Sequence, residues 1–359
     1  MTRRAALFAL LFAAAVPAAA APPPNVQNAP VKAHDAAGNL QAVFDRLVAG
    51  ASAPTWIGYA VPVLGSHQMC CWSSTEGIGR DCPGCRLEGG GAFTVNASGA
   101  RTVNLEDDRS VLVLFRVENG VVQRVRALSW SCGIDAGGRP LHWIDNADGG
   151  QSLRLLGGLV GKGIPSHKNE GGDGDSVVAA IAFHDHPDAD RFLEALTGTG
   201  HPLRTRKQAV FWLGNARGER GLPTLARIAR QDAEPKLREH AVFALSQSEA
   251  EGAVDVMLQV AREDASAHVR GQALFWLGQK AGRKATEGIE RAMADDPEAE
   301  VRKKAVFALS QLPRDEGVPL LIRTARNHRD PAVRKQAIFW LGQSQDARAL
   351  QFFAEVLGR

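Results

Sequence analysis

The 359-residue chain is long enough for about two domains of roughly 150 residues each. Its composition, 45% hydrophobic and 23% charged, is typical of a globular protein that buries a core. The net charge is only +3, which argues against a nucleic-acid-binding protein. We therefore predict no nucleic-acid partner and examine local charge instead.

The N-terminus has the order of a secretory signal peptide. Arg3 and Arg4 precede a short apolar stretch and then a small-residue region that reaches Ala20. We predict a signal peptide over residues 1–20 and a flexible leader rich in Ala and Pro over residues 21–32. The apolar stretch is too short to span about 30 Å of hydrocarbon, so we expect no membrane span. The predicted location is the periplasm or the extracellular space.

Residues 33–160 show no internal repeat, and we predict a small α+β domain with an antiparallel sheet. Residues 37–50 have the pattern of a helix. TWIGYAVPVL has the pattern of a strand, in which Pro62 indicates an edge strand or a bend. Residues 110–131 contain two β-rich runs joined by Asn-Gly, and this dipeptide supplies the positive φ angles of a tight hairpin turn.

The cysteines of this domain are predicted to form structural disulfides, which export permits. Zinc needs four gathered ligands, and the spacing of the first two cysteines lacks the usual two-residue gap. A redox pair should lie between a strand and a helix, whereas Cys-Pro-Gly-Cys lies in a Gly-, Pro- and Ser-rich loop. Metal binding and redox activity stay as alternatives, and an odd number leaves at least one thiol without an internal partner. The disulfide candidates are Cys70, Cys71, Cys82, Cys85 and Cys132.

Adjacent cysteines rarely bond to each other because the short Cα separation strains the geometry. We therefore expect Cys70 and Cys71 to bond elsewhere, with two bridges in total. The pairing does not follow from the sequence. Residues 161–175, which are polar and rich in glycine, are predicted to form a linker.

We predict no catalytic residue, no metal site and no cofactor. His184-Asp185-His186 resembles a metal-binding trio, but it falls at a predicted turn between helices. The sequence contains no evident nucleophile–His–acid arrangement, no paired-carboxylate signature and no phosphate-binding glycine loop. We therefore expect a non-catalytic protein.

A 32-residue repeat governs the C-terminal half of the chain. Alanine stands two positions before each repeated phenylalanine, leucine stands two positions after it, and arginine stands five positions before it. Two short helices and two turns fill each unit. Because one such hairpin cannot bury its apolar face alone, the units must stack. The phenylalanines are Phe211, Phe243, Phe275, Phe307 and Phe339.

The pattern V-R-x-x-A-(V/I)-F-(W/A)-L-(G/S)-Q follows Asp-Pro turns at residues 296–297 and 330–331. It resembles HEAT repeats and is most similar to the short variety found in phycobilisome lyases. The resemblance is strong over about residues 201–359, and a degenerate first copy extends the predicted solenoid to residues 176–359. It implies an α-solenoid that acts more often as an interaction scaffold than as an enzyme. A lyase-like tetrapyrrole binder is an alternative that rests on the resemblance alone.

A second period of 64 residues lies on top of the first. Trp and Ala alternate directly after the repeated phenylalanines, and Gly and Ser alternate two positions further on. We favour an interleaving of large and small side chains between neighbouring helices over a row of tryptophans presented to a ligand. We also expect the repeated arginines to pair with turn acids in a structural ladder between units.

The second helix of each unit carries arginines that differ from copy to copy. From residue 201 onward the chain has 26 Lys and Arg against 20 Asp and Glu, so the solenoid is its basic half. Residues three apart on a helix share a face, and stacking should align them in two columns that bind a protein partner of acidic character. The alternative is that these cations merely satisfy carbonyl groups at the helix C-terminus. The predicted partner-binding residues are Arg227, Arg230, Arg262, Arg291, Arg323 and Arg326.

Overall fold

The structure is a computed structural model that describes residues 26–65, 84–88, 109–164, 173–280 and 282–358. An N-terminal part with two sheets precedes a run of paired helices. The strands are β1 (Val26–Gln27), β2 (Val31–Asp35), β3 (Thr55–Pro62), β4 (Gly84–Arg86), β5 (Ser110–Glu118), β6 (Val121–Ser129), β7 (Gly133–Asp135) and β8 (Leu141–Asp145).

The larger sheet has the strand order β2-β8-β3-β5-β6. The predicted antiparallel arrangement holds for β3, β5 and β6, whereas β8 runs parallel to both β2 and β3, so the sheet is mixed. The strand that contains Pro62 is central and not an edge strand. Pro62 is its last residue, and pairing with β8 stops at Gly58, so the end of the strand tolerates a residue without an N–H group.

Residues 26–32, which we predict to belong to a flexible leader, contain strand β1 and the start of strand β2. Strand β1 pairs with β7, and all five residues of β2 pair with β8. Most side chains of β2 are exposed, so backbone hydrogen bonds alone hold this edge strand. The amino-acid composition of residues 31–35 therefore gives little indication of a strand. The predicted signal peptide lies outside the described residues and stays a prediction.

The hairpin and the first helix follow the local sequence signals. Asn119 and Gly120 have φ angles of 51° and 72°, and they join β5 to β6 as predicted. Helix α1 (Leu40–Gly50) begins after Asn39, whose side chain accepts a hydrogen bond from the Ala42 amide at 3.0 Å.

Thirteen further α-helices follow in the described residues. Helix α2 precedes the predicted linker, most of which lies outside the described residues. The first helices of the units are α5, α7, α9, α11 and α13, and the second helices are α6, α8, α10, α12 and α14. Their bounds are α2 (Gly149–Gly157), α3 (Asp173–Phe183), α4 (Pro187–Leu196), α5 (Leu203–Asn215), α6 (Leu222–Gln231), α7 (Pro235–Gln247), α8 (Ala253–Glu263), α9 (Ala267–Lys280), α10 (Arg283–Asp295), α11 (Ala299–Gln311), α12 (Arg314–Asn327), α13 (Pro331–Gln343) and α14 (Ala347–Leu357).

One continuous apolar core joins the larger sheet to the solenoid. It runs from Ala36 through the faces of α1, β3 and β5 to Phe352 in the last helix. A second core on the opposite face of the sheet contains Trp56 and Trp143. No helix among the described residues is both long enough and apolar enough to cross a bilayer.

The predicted degenerate copy is the helix pair α3–α4, and it is joined to the sheet domain by backbone hydrogen bonds. The Leu64 amide donates to the Phe183 carbonyl at 2.8 Å, and the Asp185 amide donates to the Pro62 carbonyl at 2.9 Å. Helix α3 also packs against β6. The N-terminal side of the solenoid is therefore covered by the sheet domain.

Candidate functional site

The repeated arginines tie each copy to the next, as the sequence predicts. In the most buried pair, Arg270 donates two hydrogen bonds to Asp296, at 2.8 and 3.0 Å. These hydrogen bonds raise the pKa of Arg270. Asp296 also accepts from the Glu298 amide at 2.9 Å and so holds the turn between copies. The ladder pairs are Arg206–Asp232, Arg238–Asp264, Arg270–Asp296 and Arg302–Asp330.

The 64-residue period arises from two kinds of junction between first helices. In the glycine–alanine kind, which joins α5 to α7 and α9 to α11, the glycine lies against the backbone of the next helix. A Cβ at Gly278 would lie 2.7 Å from the Ala308 carbonyl oxygen. The phenylalanines of these helices stack face to face, with Phe275 and Phe307 centroids 5.8 Å apart and planes 9° apart.

The other kind of junction is filled by tryptophan. Trp276 of α9 packs on Phe243 of α7 with centroids 4.9 Å apart, and Trp340 of α13 packs on Phe307 of α11 at 4.8 Å. Trp212 of α5 packs on Phe183 of α3 in the same way. The contacts accord with the predicted packing role, and the large and small residues alternate because the two junction widths alternate.

The six predicted partner-binding arginines all lie on second helices, but most of them are paired within the solenoid. Arg227 donates to Glu194 of α4 at 3.2 Å, and Arg323 donates to Glu290 of α10. Both pairs connect successive second helices. The predicted basic columns are therefore interrupted by carboxylates that the cation pattern alone does not reveal.

The remaining four arginines divide into paired and unpaired members. Arg326 pairs with Glu355, and its guanidinium lies 5.5 Å from the centre of the Phe352 ring. Arg262 pairs with its neighbour Glu263, whose pKa is lowered by hydrogen bonds from Gln259 and Arg262. Arg230 and Arg291 form no ion pair with any described residue.

A groove lies between the second helices α8 and α10. Arg262 and Arg291 line it together with Lys284, which pairs with Asp255 across the groove. Asp295 and other carboxylates line it as well, so its charges alternate in sign. Such a surface offers ion pairs and hydrogen bonds to a polar protein surface.

The cysteine predictions fall partly within the described residues. Cys85 and Cys132 are buried in the second core, and their disulfides stay a prediction. Cys70, Cys71 and Cys82 lie outside the described residues, so the connectivity stays a prediction. The described part of the chain contains no cluster of three or more His, Cys, Asp or Glu residues that could hold a metal ion.

His184 of the predicted turn belongs to a buried hydrogen-bond chain. Its Nδ1 donates to the Ala180 carbonyl at 2.6 Å, so its Nε2 accepts from the Ser152 hydroxyl at 2.8 Å. Ser152 in turn accepts from the Tyr59 hydroxyl at 2.8 Å. Burial lowers the pKa of His184 to about 4 and raises that of Tyr59. These residues join the sheet domain to the first helix pair.

Arg217 is a second element of this joint that sequence reasoning misses. Its side chain is completely buried, and it donates to Asp190 at 2.6 Å and to the His184 carbonyl at 2.8 Å. The only indication of this role in the sequence is that the repeat position of Arg217 holds arginine in one copy alone.

The stacked helix pairs and the ion pairs between them define the class of fold. The C-terminal half of the chain is an α-solenoid of two-helix units that are tied by an arginine–aspartate ladder. A family model described as HEAT repeats matches residues 189–278 and 286–359, which contain most of the two-helix units. No curated protein matches the chain.

The chain also matches several solved structures at low sequence identity. Human deoxyhypusine hydroxylase, in complex with glycerol, is 17% identical with a TM-score of 0.27, and the match covers 57% of this chain and 90% of that one. The complex of CpcE and CpcF of phycocyanin lyase from Nostoc sp. PCC7120 is 16% identical with a TM-score of 0.33, covering 44% and 97%. The E. coli protein YibA is 22% identical with a TM-score of 0.34, covering 53% and 71%. At these scores the likenesses carry no argument about activity.

Proposed function

We propose that this chain is an exported, non-catalytic scaffold that binds a protein partner through the surface of its solenoid. The observation that carries the proposal is the contrast between the two helices of each unit. First helices repeat nearly the same residues and make the stacking contacts, whereas second helices vary in charge from copy to copy around the groove between α8 and α10. HEAT repeats are consistent with an interaction scaffold.

Export is supported by the N-terminal pattern of the sequence, and the predicted disulfides of Cys85 and Cys132 agree with it, since disulfides persist in oxidising compartments. The alternative functions, a redox or metal accessory and a tetrapyrrole binder, gain no specific support from the described residues. Buried cysteine side chains do not favour thiol exchange with a client, because the attacking thiolate must be accessible.

Charge reversal on the second helices tests the proposal. The double variant Arg291→Glu and Arg323→Glu should lower partner recovery from an envelope extract by about tenfold or more. The new glutamates would face a partner of acidic character, and like charges brought together at an interface are costly. The control is Arg46→Glu, which reverses one charge at an exposed position of the sheet domain and is compared with Arg291→Glu alone as well as with the double variant. Quantitative mass spectrometry of the captured proteins is the measurement. Equal recovery by both variants and by the unaltered chain would reject the proposed surface.

A further inference from the structure

The three junctions that are filled by tryptophan differ in what lies beside the tryptophan. At two of them, a basic side chain at the end of the later helix reaches a backbone carbonyl group that follows the earlier helix. Lys280, four residues after Trp276, donates to the Ser248 carbonyl at 2.8 Å. Arg217, which follows α5, donates to the His184 carbonyl at 2.8 Å. Positive charge at the C-terminal end of a helix stabilises the partial negative charge of its last carbonyl groups.

At the third tryptophan junction, between α11 and α13, a serine takes the place of that lysine. Ser344 stands 64 residues after Lys280, and Leu312 stands 64 residues after Ser248. Both line a pocket of about 250 Å³ between α11, α12 and α13. The pocket therefore lies where the Lys280 side chain lies two units earlier. Because Lys280 belongs to the helix that forms its own junction, the pocket does not depend on what lies beyond α14.

Three polar groups around the pocket lack a partner among the described residues. The indole Nε1 of Trp340 is buried and has no hydrogen-bond acceptor in the described part of the chain. No described residue donates to the Leu312 carbonyl oxygen. Arg314 is exposed and forms no ion pair with a described residue. Since a polar group without a partner costs free energy, these groups favour a ligand that carries a donor and acceptors together.

We propose that this pocket, which we call the lysine pocket, binds a lysine side chain of a protein partner. The ammonium group donates to the Leu312 carbonyl, as Lys280 does at the equivalent carbonyl. The methylene stem lies against leucine and valine side chains of α11 and α12, because long cationic side chains bury their stems on apolar surface. This inference rests on the proposed function, because it names a side chain through which the protein partner docks. The lysine pocket is defined by Leu312, Arg314, Trp340 and Ser344.

The two remaining polar groups specify what adjoins the lysine in the partner. A carboxylate next to the lysine pairs with Arg314 and offsets the repulsion between Arg314 and the ammonium group. A carbonyl oxygen of the same segment accepts from the Trp340 indole. The partner segment therefore carries a lysine beside an acidic residue.

The chain itself decides between a lysine and other occupants. The equivalent space between α7 and α9 accommodates the stem and ammonium group of Lys280. A single anion would face the carbonyl groups at the C-terminal end of α11, which carry partial negative charge. A volume of about 250 Å³ admits a side chain and not a whole helix, which is about 10 Å across.

The probe is the blocked dipeptide acetyl-Lys-Glu-amide, added to the full chain labelled with ¹⁵N. The measurement is the chemical shift of the Trp340 indole N–H, which Trp340→Phe assigns among the seven tryptophans. We expect a saturable shift with a Kd on the order of 1–10 mM. A probe with norleucine in place of lysine keeps the methylene stem but lacks the ammonium group. It should bind about tenfold more weakly or worse.

Three variants test the pocket. Ser344→Lys places in it the side chain that Lys280 supplies two units earlier, so it should weaken probe binding by more than about tenfold. Gln41→Lys adds the same charge at an exposed position of α1 and should leave binding unchanged. Arg314→Gln, at an exposed position, should weaken binding of the Lys-Glu probe by about threefold. This third variant keeps the test valid if Ser344→Lys does not fold.

The inference is overturned if the Trp340 signal does not shift at probe concentrations up to about 20 mM. It is also overturned if the norleucine probe binds equally or if Ser344→Lys binds as well as the unaltered chain. Unchanged binding in Arg314→Gln would overturn the acidic neighbour of the lysine. An absence of probe binding, with partner capture that depends on Arg291 and Arg323, overturns this inference alone. Probe binding with capture that is independent of both arginines overturns the proposed second-helix surface instead.

Discussion

Buried charge pairs hold the repeats together at the scale of single residues. Each ladder aspartate accepts from the amide of its own turn and from an arginine of the preceding copy. Removal of one member leaves the other buried and uncompensated, which costs more than the intact pair contributes. The ladder therefore makes the register between copies sensitive to single substitutions.

The position of an arginine along the ladder predicts the effect of removing it. Arg270→Ala should lower the free energy of unfolding by about 3–5 kcal/mol, because it leaves Asp296 nearly buried without its partner. Arg334→Ala, the same substitution at the same repeat position, should cost far less, since no described acid pairs with Arg334. Urea denaturation of both variants is the measurement. Equal losses would contradict the assigned role.

His184 should make the fold sensitive to acid. Its pKa is about 4 in the folded protein and about 6.5 when exposed, so the unfolded chain binds more protons between these values. The contribution of neutral His184 is fully present above about pH 6.5 and is lost as the pH falls toward 4, by up to about 3 kcal/mol.

The control for this prediction is an exposed histidine. His184→Gln should flatten the dependence of stability on pH between about 6.5 and 4. His268→Gln makes the same substitution at an exposed histidine, at the start of α9, and serves as the comparison. Thermal unfolding across this pH range distinguishes the two, and parallel curves for both variants would show that His184 does not titrate as described.

At the scale of secondary-structure elements, the first helix of each unit is one of two types. One type pairs Trp with Gly, and the other pairs Ala with Ser. The glycine permits close backbone approach on one side, and the tryptophan fills the wider space on the other. Two successive units are therefore the true structural repeat.

Substitution of glycine should have opposite effects in two copies. Gly278→Ala places a Cβ 2.7 Å from the Ala308 carbonyl oxygen, so we expect destabilisation of about 1–3 kcal/mol. Gly342→Ala meets nothing within 4 Å, and the higher helix propensity of alanine should make it neutral or stabilising by up to about 1 kcal/mol. Chemical denaturation of the two variants, Gly278→Ala and Gly342→Ala, measures both effects. A loss of stability at Gly342 as large as that at Gly278 would show that the end of the solenoid is covered.

Regular elements with strong local signals could be predicted from the sequence. The 32-residue period predicts the paired helices, Asn119-Gly120 predicts the hairpin, and the turn acids predict the ladder. Strand β2 could not be predicted, because a backbone ladder at a sheet edge needs little apolar burial. The carboxylates that interrupt the basic columns were also missed, since Glu194 and Glu290 belong to neighbouring units that only stacking brings together.

The sheet domain and the solenoid share one apolar core and a buried polar joint at the scale of the whole molecule. Cys85 and Cys132 belong to the sheet domain, and the variable charges of the second helices belong to the solenoid. The sheet domain covers one end of the stack, and the proposed function assigns recognition to the rest of it.

The cysteine framework gives a chemical check on this view of the sheet domain. Two bridges leave one of the five cysteines as a thiol. Titration in denaturant without reductant should therefore find one thiol for each chain, and all five should react after reduction. Five reactive thiols before reduction would contradict a disulfide framework, and copurified zinc would favour the metal alternative.

The central claim is that recognition belongs to the solenoid. Hydrogen–deuterium exchange of the full chain, with and without its captured partner, tests it most directly. We predict added protection on α8, α10 and α12 or on α11 and α13, with little change in β3, β5 and β6. Protection confined to the sheet domain, with unchanged exchange along the solenoid, would contradict the claim.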